Sequence, residues 1–524
     1  MSSLPSLPLF LQPIGNVGNI FAVEIANSRN HEQSVKYNIA INQVKYILRF
    51  IGILLMVEGA LILSCLIPAF HFADDTWAKI TVSGLFTFNI GLFLTVRYHN
   101  ARRITDKRIA YLLVVVMWVV LSLFGALPYL ATGVTTSFAN ALFESTSGIT
   151  STGATIFSTV EWLPASILLW RSMTQWFGGF GIVLLVLALV PSMGINKYSL
   201  YTAEASGADN TGKQTTSMGA TIRHTLGIYI FLTLLFITTL WKTGLHLWDA
   251  VNVTFTNISS GGFSIYNNSL EHLTHVQQYV VAIAMLFSGV NFSMLYYFLT
   301  LQWDRLRNKF DQTICYLTTF LGGAIFVILA LALKMGYSFP DAVRCGIVQT
   351  ISVLTTTGSL VADTSQWWVP VTFLFVVLSL CGGMAGSTTG GLKTMRVLIL
   401  IRNVRKILRD RLHPHSVNPV RLNKKPVSED IITNVMVIFL VYAAVIFVGI
   451  MMLMLSGINA TESIGATIAC ITGYGPGLGT SGGFGCYADF TTAGKVICTF
   501  LMLLGRLECL TLLILFVPKF WSKG

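Results

Sequence analysis

Long apolar stretches alternate with short polar segments along most of the chain. Each stretch has at least about 20 residues, the length that a helix needs to cross a bilayer. The stretches lie near 46–70, 78–98, 109–130, 164–190, 224–244, 277–301, 313–335, 369–400, 431–456 and 493–517. Two of them, 164–190 and 369–400, are long enough to contain a break. The pattern predicts an all-α polytopic membrane protein with about ten spans.

The composition agrees with a membrane protein. Of the 524 residues, 54% are hydrophobic and 11% are charged, whereas soluble domains carry about 25% charged residues. The eight cysteines and nine histidines show no spacing typical of a metal site or a disulfide framework. No carboxylate–histidine or serine–histidine constellation indicates catalysis, and we predict that the chain is not an enzyme.

Basic residues alternate from one connection to the next and account for most of the net charge of +12. Lys and Arg number five in 97–108, three in 191–223, three in 303–312 and ten in 393–425, whereas 131–163, 245–276 and 457–492 contain none and 336–368 contains only Arg344. Because basic loops stay on the cytoplasmic side, we predict that both termini are cytoplasmic and that the charge does not indicate nucleic-acid binding. The basic run from Arg402 to Lys425 is interpreted as a solvated inner loop, or as a dock for an acidic partner or lipid headgroups.

The connections poor in basic residues share a polar ending that contains glycine. Aligned by eye, the endings are ITSTGAT (149–155), ISSGGFS (258–264), LTTTGSL (354–360) and ITGYGPG (471–477). This alignment makes Gly153, Gly261, Gly358 and Gly475 equivalent, with separations of 108, 97 and 117 residues, and such a period indicates internal duplication. In the first and third units, Glu144 and Gln349 precede the glycine by the same nine residues.

A short helical segment precedes each ending and is too short to span the bilayer. The four segments are 137–150, 248–258, 339–355 and 460–471. Irregular backbone at membrane depth is stable only where protein surrounds it or water fills a cavity, so we predict four re-entrant loops around one axis. Rings of backbone carbonyls coordinate alkali cations without a fixed charge, and glycine permits the dihedrals they need. Ordinary Gly/Thr turns are the alternative for any single loop.

Four longer motifs carry a resemblance to a known family. They are FESTSGITSTGAT (143–155), QWFGGFGI (175–182), GGMAGSTTGGLK (382–393) and GRLE (505–508). From about residue 46 onward, the chain resembles the Trk/Ktr/HKT superfamily of potassium transporters, and the match is closest to its bacterial TrkH-type branch. The resemblance implies four tandem helix–pore-loop–helix repeats around one pseudo-fourfold ion pore, preceded by two extra transmembrane helices.

The resemblance also implies a function, partners and a location. The function is potassium uptake across the cytoplasmic (inner) membrane of a bacterium, through a gated pore driven by the electrochemical gradient. K⁺ would be the only ligand of this chain. The protein would form a homodimer in membrane lipid, with one pore per subunit. A cytoplasmic TrkA-like ring would bind the regulatory nucleotide, NAD or ATP.

Carried over by position, the resemblance assigns the ion-binding residues of a selectivity filter and the residues of a gate. The filter would consist of Ser151, Thr152, Gly153, Ser259, Ser260, Gly261, Thr356, Thr357, Gly358, Gly473, Tyr474 and Gly475. The gate would be the intramembrane loop 382–393, with Gly382, Gly383, Gly386, Ser387, Thr388, Thr389, Gly390, Gly391 and Lys393, together with Arg506. Tyr474 would contribute mainly its backbone.

The gate residues have plainer explanations as well. The loop 382–393 lacks the Gly-Lys-Ser/Thr ending of a phosphate loop, because Leu392 precedes Lys393, but close packing of small residues between helices stays an alternative. Arg506 lies inside the last apolar stretch, where a charge is costly and usually functional. The alternative for Arg506 is an ion pair with Glu508, although residues two apart do not share a helix face.

The chain divides on this basis into consecutive parts. They are a cytoplasmic arm (1–45), a two-helix leading domain (46–100), pore repeats 1 to 4 (105–195, 220–303, 311–403 and 429–524) and a basic cytoplasmic loop (404–428). Two other functions stay open: a sodium-coupled or less selective K⁺/Na⁺ transporter of the same superfamily, and a secondary transporter with broken helices at the midplane. Glycine at all four filter positions favours potassium.

Overall fold

The structure is a computed structural model, and it describes residues 42–101, 107–192, 218–303, 310–415 and 418–521. Most of these residues are helical. A helix satisfies its backbone hydrogen bonds within one segment, which is what a chain in lipid requires. Residues 1–41 of the predicted N-terminal arm lie outside the described residues. Residues 42–45, which were also assigned to the arm, belong to the first helix.

Two long helices come first and pack closely against each other. The first covers 42–64 and continues after a turn as Leu66–His71, and the second is Trp77–Arg97. Glycine brings the two backbones together, because a Cβ on Gly59 would lie 2.6 Å from the nitrogen of Phe88. Small residues at helix contacts are typical of membrane proteins, where van der Waals packing drives helix association.

The same order of elements then occurs four times: a long helix, a short helix, a polar segment and a second helix. The long helices are Lys107–Gly125, Met218–Lys242, Phe310–Lys334 and Glu429–Leu455. The short helices, numbered 1 to 4 below, are Phe138–Ile149, Leu247–Ile258, Phe339–Leu354 and Ala460–Thr472. The second helices are Ala165–Ser192, His275–Ser288 with Phe292–Leu299, Val369–Cys381 with Thr394–Leu412, and Thr492–Arg506 with Leu510–Leu513.

The remaining described elements are small. The helices Leu127–Thr132 and Pro518–Trp521 and the 3₁₀ turns Thr364–Gln366, Gly479–Ser481 and Ile514–Phe516 connect or end the larger ones. A two-stranded antiparallel hairpin, Arg421–Leu422 with Lys425–Pro426, lies in the basic region after Thr394–Leu412.

The short helices lie where the four short helical segments were predicted, and each of their described ends falls within one residue of the prediction. A polar residue precedes each of them. Ser338 precedes short helix 3 and accepts a hydrogen bond from the backbone nitrogen of Asp341, which satisfies one of the four free N–H groups at a helix start. Ser137 and Asn459 hold the same position before short helices 1 and 4.

Three of the four second helices are broken. The predicted break in 369–400 is confirmed by the loop between Cys381 and Thr394, whereas 164–190 forms one continuous helix. Two breaks were not predicted: the chain bends by 105° between Ser288 and Phe292 and by 106° after Arg506. Glu508 and Cys509 have positive φ at the second bend, which ends regular helix geometry there.

Within the described residues, six helices are long and apolar enough to cross a membrane, or eight if each bent pair counts as one span. The apolar helix Val369–Cys381 falls below that length. Ten spans therefore stay a prediction.

Burial is distributed as expected for a protein in lipid. The long helices expose large apolar side chains, among them Phe93, Leu234 and Phe447, each more than half exposed. The last turns of the short helices are buried, and polar side chains such as Glu144 and Gln349 have no exposed area. The buried core is largely apolar, but many of its buried polar side chains lie in the last turns of the short helices and in the four polar segments.

Candidate functional site

Four polar segments, one after each short helix, share an unusual backbone conformation. The first residue of each has a positive φ: +53° at Ser151, +56° at Ser260, +52° at Thr356 and +73° at Gly473. Two residues later a glycine again has a positive φ: +83° at Gly153, +74° at Gly262, +81° at Gly358 and +89° at Gly475. We call these three-residue stretches ring segments 1 to 4. Left-handed backbone costs a non-glycine residue about 1–3 kcal/mol and persists only where its surroundings enforce it.

The predicted position of ring segment 2 is wrong by one residue. In segments 1 and 3 the middle residue donates its N–H to a carbonyl in the short helix five residues earlier, at 2.9 Å from Thr152 and 2.8 Å from Thr357. The residue that makes this bond in the second unit is Gly261, with 2.8 Å to the carbonyl of Thr256. Gly262 therefore takes the place predicted for Gly261, and Ser259 is the C-cap residue that follows short helix 2 rather than part of the ring.

The four ring segments contact one another in a closed order. A Cβ on Gly153 would lie 2.1 Å from the Gly261 oxygen, one on Gly262 would lie 1.8 Å from the Thr357 oxygen, and one on Gly358 would lie 2.1 Å from the Tyr474 oxygen. A Cβ on Gly475 would lie 2.5 Å from the Thr152 oxygen, which returns to segment 1. Each glycine thus faces a carbonyl of the next segment, and a side chain at any of the four positions would displace it.

A cleft opens on one side of the ring. Its lining includes Gly153, Gly262, Gly358 and Gly475, but not Gly261. The walls come mainly from the loops that follow the ring segments. Among the described lining residues the only charged one is Arg171, from the helix Ala165–Ser192. The ring therefore faces open space through its glycines.

A buried ion pair supports ring segment 1. Arg171 donates its Nε to Glu144 at 2.9 Å, and the two side chains are 2% and 0% exposed. Glu144 also accepts from the backbone nitrogen of Ile156 at 2.9 Å and from the hydroxyl of Thr155. Arg171 donates Nη1 to the Ser264 carbonyl in the second unit at 2.8 Å. The pair fixes the chain after segment 1 and joins two units without adding a net charge.

Gln349 has the corresponding role in the third unit. Its Oε1 accepts from the nitrogen of Val361 at 3.3 Å, twelve residues farther on, as Ile156 is twelve residues after Glu144. The nine-residue spacing noted in the sequence therefore identifies a side chain that holds the chain just beyond ring segments 1 and 3. Arg171 itself was missed, although a single cation in the apolar stretch 164–190 was a visible signal.

Gln175 supports ring segment 2 from the first unit. It donates Nε2 to the Gly261 carbonyl at 2.8 Å and accepts from the Phe263 nitrogen at 3.0 Å. Its backbone carbonyl accepts the Ser151 hydroxyl at 3.2 Å. One residue thus connects segments 1 and 2, a long-range contact that the sequence did not indicate.

The loop 382–393 lies at the opposite side of the ring from the glycines and contacts three units. Its contacts are the Thr388 hydroxyl with the Ser260 hydroxyl at 2.8 Å, the Gly390 nitrogen with the Thr356 hydroxyl at 2.7 Å, and the Gly391 nitrogen with the Thr472 carbonyl at 2.9 Å. Ser260 and Thr356 are the first residues of their ring segments, and Thr472 precedes that position in segment 4. A Cβ on Gly390 would lie 1.8 Å from the Thr472 oxygen. The loop therefore packs directly against the ring.

The loop is anchored in the bend of the second unit. The Met384 nitrogen donates to the Gly289 carbonyl at 2.9 Å, and the Phe292 nitrogen donates to the Gly386 carbonyl at 3.2 Å. Asn291 adds a bond from Nδ2 to the Ala385 carbonyl at 2.6 Å. A bend leaves backbone groups without helical partners, and the loop satisfies them. This explains why the bend between Ser288 and Phe292 exists.

The conformation of the loop depends on its glycines. Gly382, Gly386 and Gly391 have φ of +67°, +76° and +71°, values that other residues rarely adopt. Ser387 and Thr389 bond to each other through their hydroxyls at 2.8 Å. Gly383 is packed against Thr389, and Lys393 donates Nζ to the Thr389 carbonyl. The predicted gate residues are thus one connected loop rather than a helix-packing surface.

Arg506 connects the loop 382–393 to the first unit. Its Nη1 donates to the Thr388 carbonyl at 3.0 Å, and its Nη2 donates to the Gly178 carbonyl at 3.0 Å and lies 3.5 Å from the Ser151 hydroxyl. The side chain is buried, with 8% exposed. The loop and Arg506 together therefore contact all four units at the ring.

Arg506 does not pair with Glu508, and that alternative explanation is wrong. Glu508 pairs instead with Arg396 at 2.6 Å, which joins the helix after the loop to the bend of the fourth unit. Among the described residues no carboxylate forms a salt bridge with Arg506. Carbonyl and hydroxyl oxygens and the ring of Trp118, 5.9 Å from the guanidinium carbon, surround its positive charge.

Comparison with known proteins decides the family. The family model for TrkH, described as a cation transport protein, matches residues 76–523. The chain belongs to the TrkH family. It is 32% identical over 92% of its length to the Trk system potassium uptake protein TrkH of Halomonas elongata, which is covered completely. The protein of that name from Escherichia coli K12 is 30% identical over 91% of this chain and 99% of its own.

A solved structure agrees with this assignment. The crystal structure of the potassium transporter TrkH from Vibrio parahaemolyticus superposes with a TM-score of 0.83 at 28% identity, over 92% of this chain and all of the other. Membership of the TrkH family confirms the resemblance based on the four motifs. The relatives named above are transport proteins, in line with the expectation that this chain is no enzyme.

Proposed function

We propose that this chain carries potassium ions into a bacterial cell through the centre of the four ring segments. The observation that carries the proposal is the closed order of glycine-to-carbonyl contacts between segments with one backbone conformation. The relatives of this TrkH family member are named potassium uptake proteins. On this proposal the four units form one pseudo-fourfold pore, preceded by two helices, in the inner membrane with both termini in the cytoplasm.

The chemistry of the ring suits a monovalent cation. Carbonyl oxygens at Thr152, Gly261, Thr357 and Tyr474 would replace the water ligands of a dehydrated K⁺, as in other carbonyl filters. The ring segments contain no carboxylate, and the nearby Glu144 is neutralised by Arg171, so no fixed charge would hold the ion too strongly. An inside-negative potential supplies about 2.3 kcal/mol per charge per 100 mV, enough to drive inward flow without catalysis.

The loop 382–393 and Arg506 would close this path. The loop bonds to ring segments 2 and 3 and to Thr472 next to segment 4, and Arg506 places a cation beside Ser151 in segment 1. A permeating K⁺ leaving the ring would meet both. Conduction therefore requires the loop to move away from the ring, and the described arrangement corresponds to the closed state of the proposed gate.

Growth of a potassium-uptake-deficient bacterium on limiting potassium tests the function, with ⁸⁶Rb⁺ uptake as the direct measure. Wild type should restore growth and flux. Gly153→Ser should lower Rb⁺ flux by about fivefold or more and raise the share of Na⁺, because its Cβ would displace the Gly261 carbonyl and a displacement costs about 1–3 kcal/mol. Gly322→Ser is the matched control, since a Cβ there meets nothing within 4 Å. Failure of wild type to restore uptake would exclude the proposal.

A sodium-coupled or less selective transporter is the second candidate within the superfamily. Glycine in the third position of all four ring segments favours potassium, because each glycine leaves its neighbour's carbonyl in place. A secondary transporter with broken midplane helices receives less support. The helices are broken, but backbone hydrogen bonds join the break after Ser288 to the break after Cys381. No charged side chain takes part in these bonds, whereas such transporters use a charged substrate site.

The proposed partners are a second copy of this chain and a cytoplasmic TrkA-like ring that binds NAD or ATP. The names of the relatives place them in a "Trk system", which suggests assembly with other subunits. Light scattering of the purified chain should give twice its mass of 57.5 kDa. A mass of one chain would exclude the homodimer.

A further inference from the structure

A basic cavity lies in the third unit, away from the ring and on the side that the charge pattern predicts to be cytoplasmic. Its volume is about 470 Å³, within the range of about 300–1,000 Å³ typical of small-molecule sites. The cations that line it are Arg402, Arg405, Lys406, Arg409 and Arg421, and no carboxylate contributes to the lining. The proposed transport path does not use this cavity.

Two of the five cations are neutralised within the protein. Arg402 pairs with Asp311 at 2.6 Å, and Lys406 pairs with Glu429 at 2.6 Å. Among the described residues no salt bridge involves Arg405, Arg409 or Arg421. Three guanidinium groups thus line one cavity without a salt-bridge partner among the described residues, and the guanidinium fork can bind the oxygens of a phosphate in bidentate fashion.

The walls of the cavity are fixed in position. Arg402 also donates to the Arg421 carbonyl at 2.6 Å, which ties the hairpin to the helix Thr394–Leu412. Asp311 accepts from the backbone nitrogen of Asn423 at 2.8 Å, which ties the hairpin to the helix Phe310–Lys334. Val420, in the wall itself, is buried. The lining therefore comes from the helix Thr394–Leu412 and the segment 418–421, and Asp311 ties both to a third helix.

The helix Thr394–Leu412 carries an apolar stripe beside the cavity. Ile401, Val404, Leu408 and Leu412 follow one another at helical spacing and are 44%, 55%, 60% and 75% exposed. At 100° per residue, this stripe adjoins the one formed by Arg402, Arg405 and Arg409. A helix with neighbouring apolar and basic stripes is typical of the membrane interface, with the apolar face among acyl chains and the cations at the headgroups.

We propose that this cavity binds the phosphate of an anionic phospholipid of the inner leaflet, with the acyl chains along the stripe from Ile401 to Leu412. The uncompensated guanidinium groups supply the charge complementarity, and the stripe distinguishes a lipid from a soluble phosphate. Because the cavity borders the helix that follows the loop 382–393, a bound lipid would hold that helix at the membrane surface. The proposal concerns binding and does not depend on which ion the protein carries.

Thermal unfolding of the full chain in neutral detergent tests the proposal, with dioleoylphosphatidylglycerol or dioleoylphosphatidylcholine added to the micelles. Phosphatidylglycerol should raise the Tm of wild type by several degrees, and phosphatidylcholine should not. Arg405→Gln/Arg409→Gln should lose most of that shift. Arg411→Gln is the matched control, because it removes a charge from the same helix outside the cavity lining and should keep the full shift. The shift should shrink in high salt, because exposed charges are screened.

Three results would overturn the proposal. The double variant could respond to phosphatidylglycerol as Arg411→Gln does, phosphatidylcholine could stabilise wild type equally, or sodium pyrophosphate at the same concentration could replace the lipid, which would assign the cavity to a soluble phosphate. The Tm without lipid shows whether the double variant folds. If it does not fold, Arg405→Gln and Arg409→Gln are measured singly, and each should lose part of the shift.

Discussion

Removal of the Glu144 carboxylate should destabilise the protein strongly, because Arg171 would keep a buried charge without its partner. Both side chains are at most 2% exposed and lie 2.9 Å apart. Breaking a buried ion pair from one side costs about 3–5 kcal/mol. Glu144→Ala also removes the acceptor of the Ile156 nitrogen, which adds about 1–3 kcal/mol for an unsatisfied buried group.

The third unit supplies a neutral control for this prediction. Gln349 holds the Val361 nitrogen at 3.3 Å, and the structure places no ion pair on it. Gln349→Ala should therefore cost only about 1–3 kcal/mol, the price of one unsatisfied neutral group. Thermal unfolding in detergent, followed by size-exclusion chromatography of the soluble fraction, measures both variants. Glu144→Ala should unfold at a distinctly lower temperature than Gln349→Ala.

A double variant separates the charge from the other contacts of Glu144. Glu144→Ala/Arg171→Met removes both charges and keeps much of the volume of the arginine stem, so it should be more stable than Glu144→Ala alone. Contacting residues of one network do not add independently, and the double-mutant cycle measures their coupling. Equal or lower stability of the double variant would refute the argument that the unpaired guanidinium is the main cost.

Three further predictions concern the proposed gate residues Arg506 and Gly390 and the carboxylate of Asp74. Arg506→Gln should raise ⁸⁶Rb⁺ flux up to about a hundredfold, since a like charge about 6 Å from the ion costs about 3 kcal/mol at an effective dielectric constant of about 20; unchanged flux would exclude the barrier role. Gly390→Ala should raise basal flux about tenfold, because a Cβ would lie 1.8 Å from a backbone oxygen in the closed state and overpacking costs about 1–3 kcal/mol, whereas Gly322→Ala should leave flux unchanged. Burial raises the pKa of Asp74, but hydrogen bonds from Ser166 and Thr76 outweigh it and hold that pKa below its ordinary value of 3.8. Wild type should therefore be more stable than Asp74→Asn above about pH 4 and should lose this advantage as the pH falls below the lowered pKa; a constant difference in Tm between pH 3 and pH 7 would contradict it.

The sequence predicts the elements of this fold well, because each carries its own signals. The short helices are bounded by polar start residues such as Ser338, and their ends were found within one residue. The break after Cys381 was expected from five glycines among ten residues. The bend after Ser288 was not, because one glycine, Gly289, is a weak signal. The reason for that bend is the Met384–Gly289 hydrogen bond, which depends on a loop nearly a hundred residues away.

Ring segment 2 shows where alignment by residue type stops being informative. SSGGFS contains two adjacent glycines, and either one fits a pattern that asks only for glycine after small polar residues. The backbone decides between them, because the Gly261 nitrogen bonds to Thr256 and leaves Gly262 with a φ of +74°. Extending the sequence comparison by one residue, to Phe263 in the second unit and Ala154 in the first, would not have resolved the choice either. Only the hydrogen bond from the preceding helix distinguishes the two positions.

Two arginines show why a similar sequence signal has different consequences. Arg171 and Arg506 are each a single arginine in a predicted apolar span, and burial alone treats them alike. Arg171 meets the carboxylate of Glu144, so its charge is cancelled, and its remaining donors join two units of the ring. Arg506 meets carbonyl and hydroxyl oxygens and the ring of Trp118, which stabilise the cation without cancelling its charge. On the proposed path, a neutral pair beside the ring would leave an approaching cation unaffected, whereas an uncancelled charge beneath the ring would oppose the exit of that cation. The role of a buried charge in this family member therefore follows from its partner, which the fold supplies.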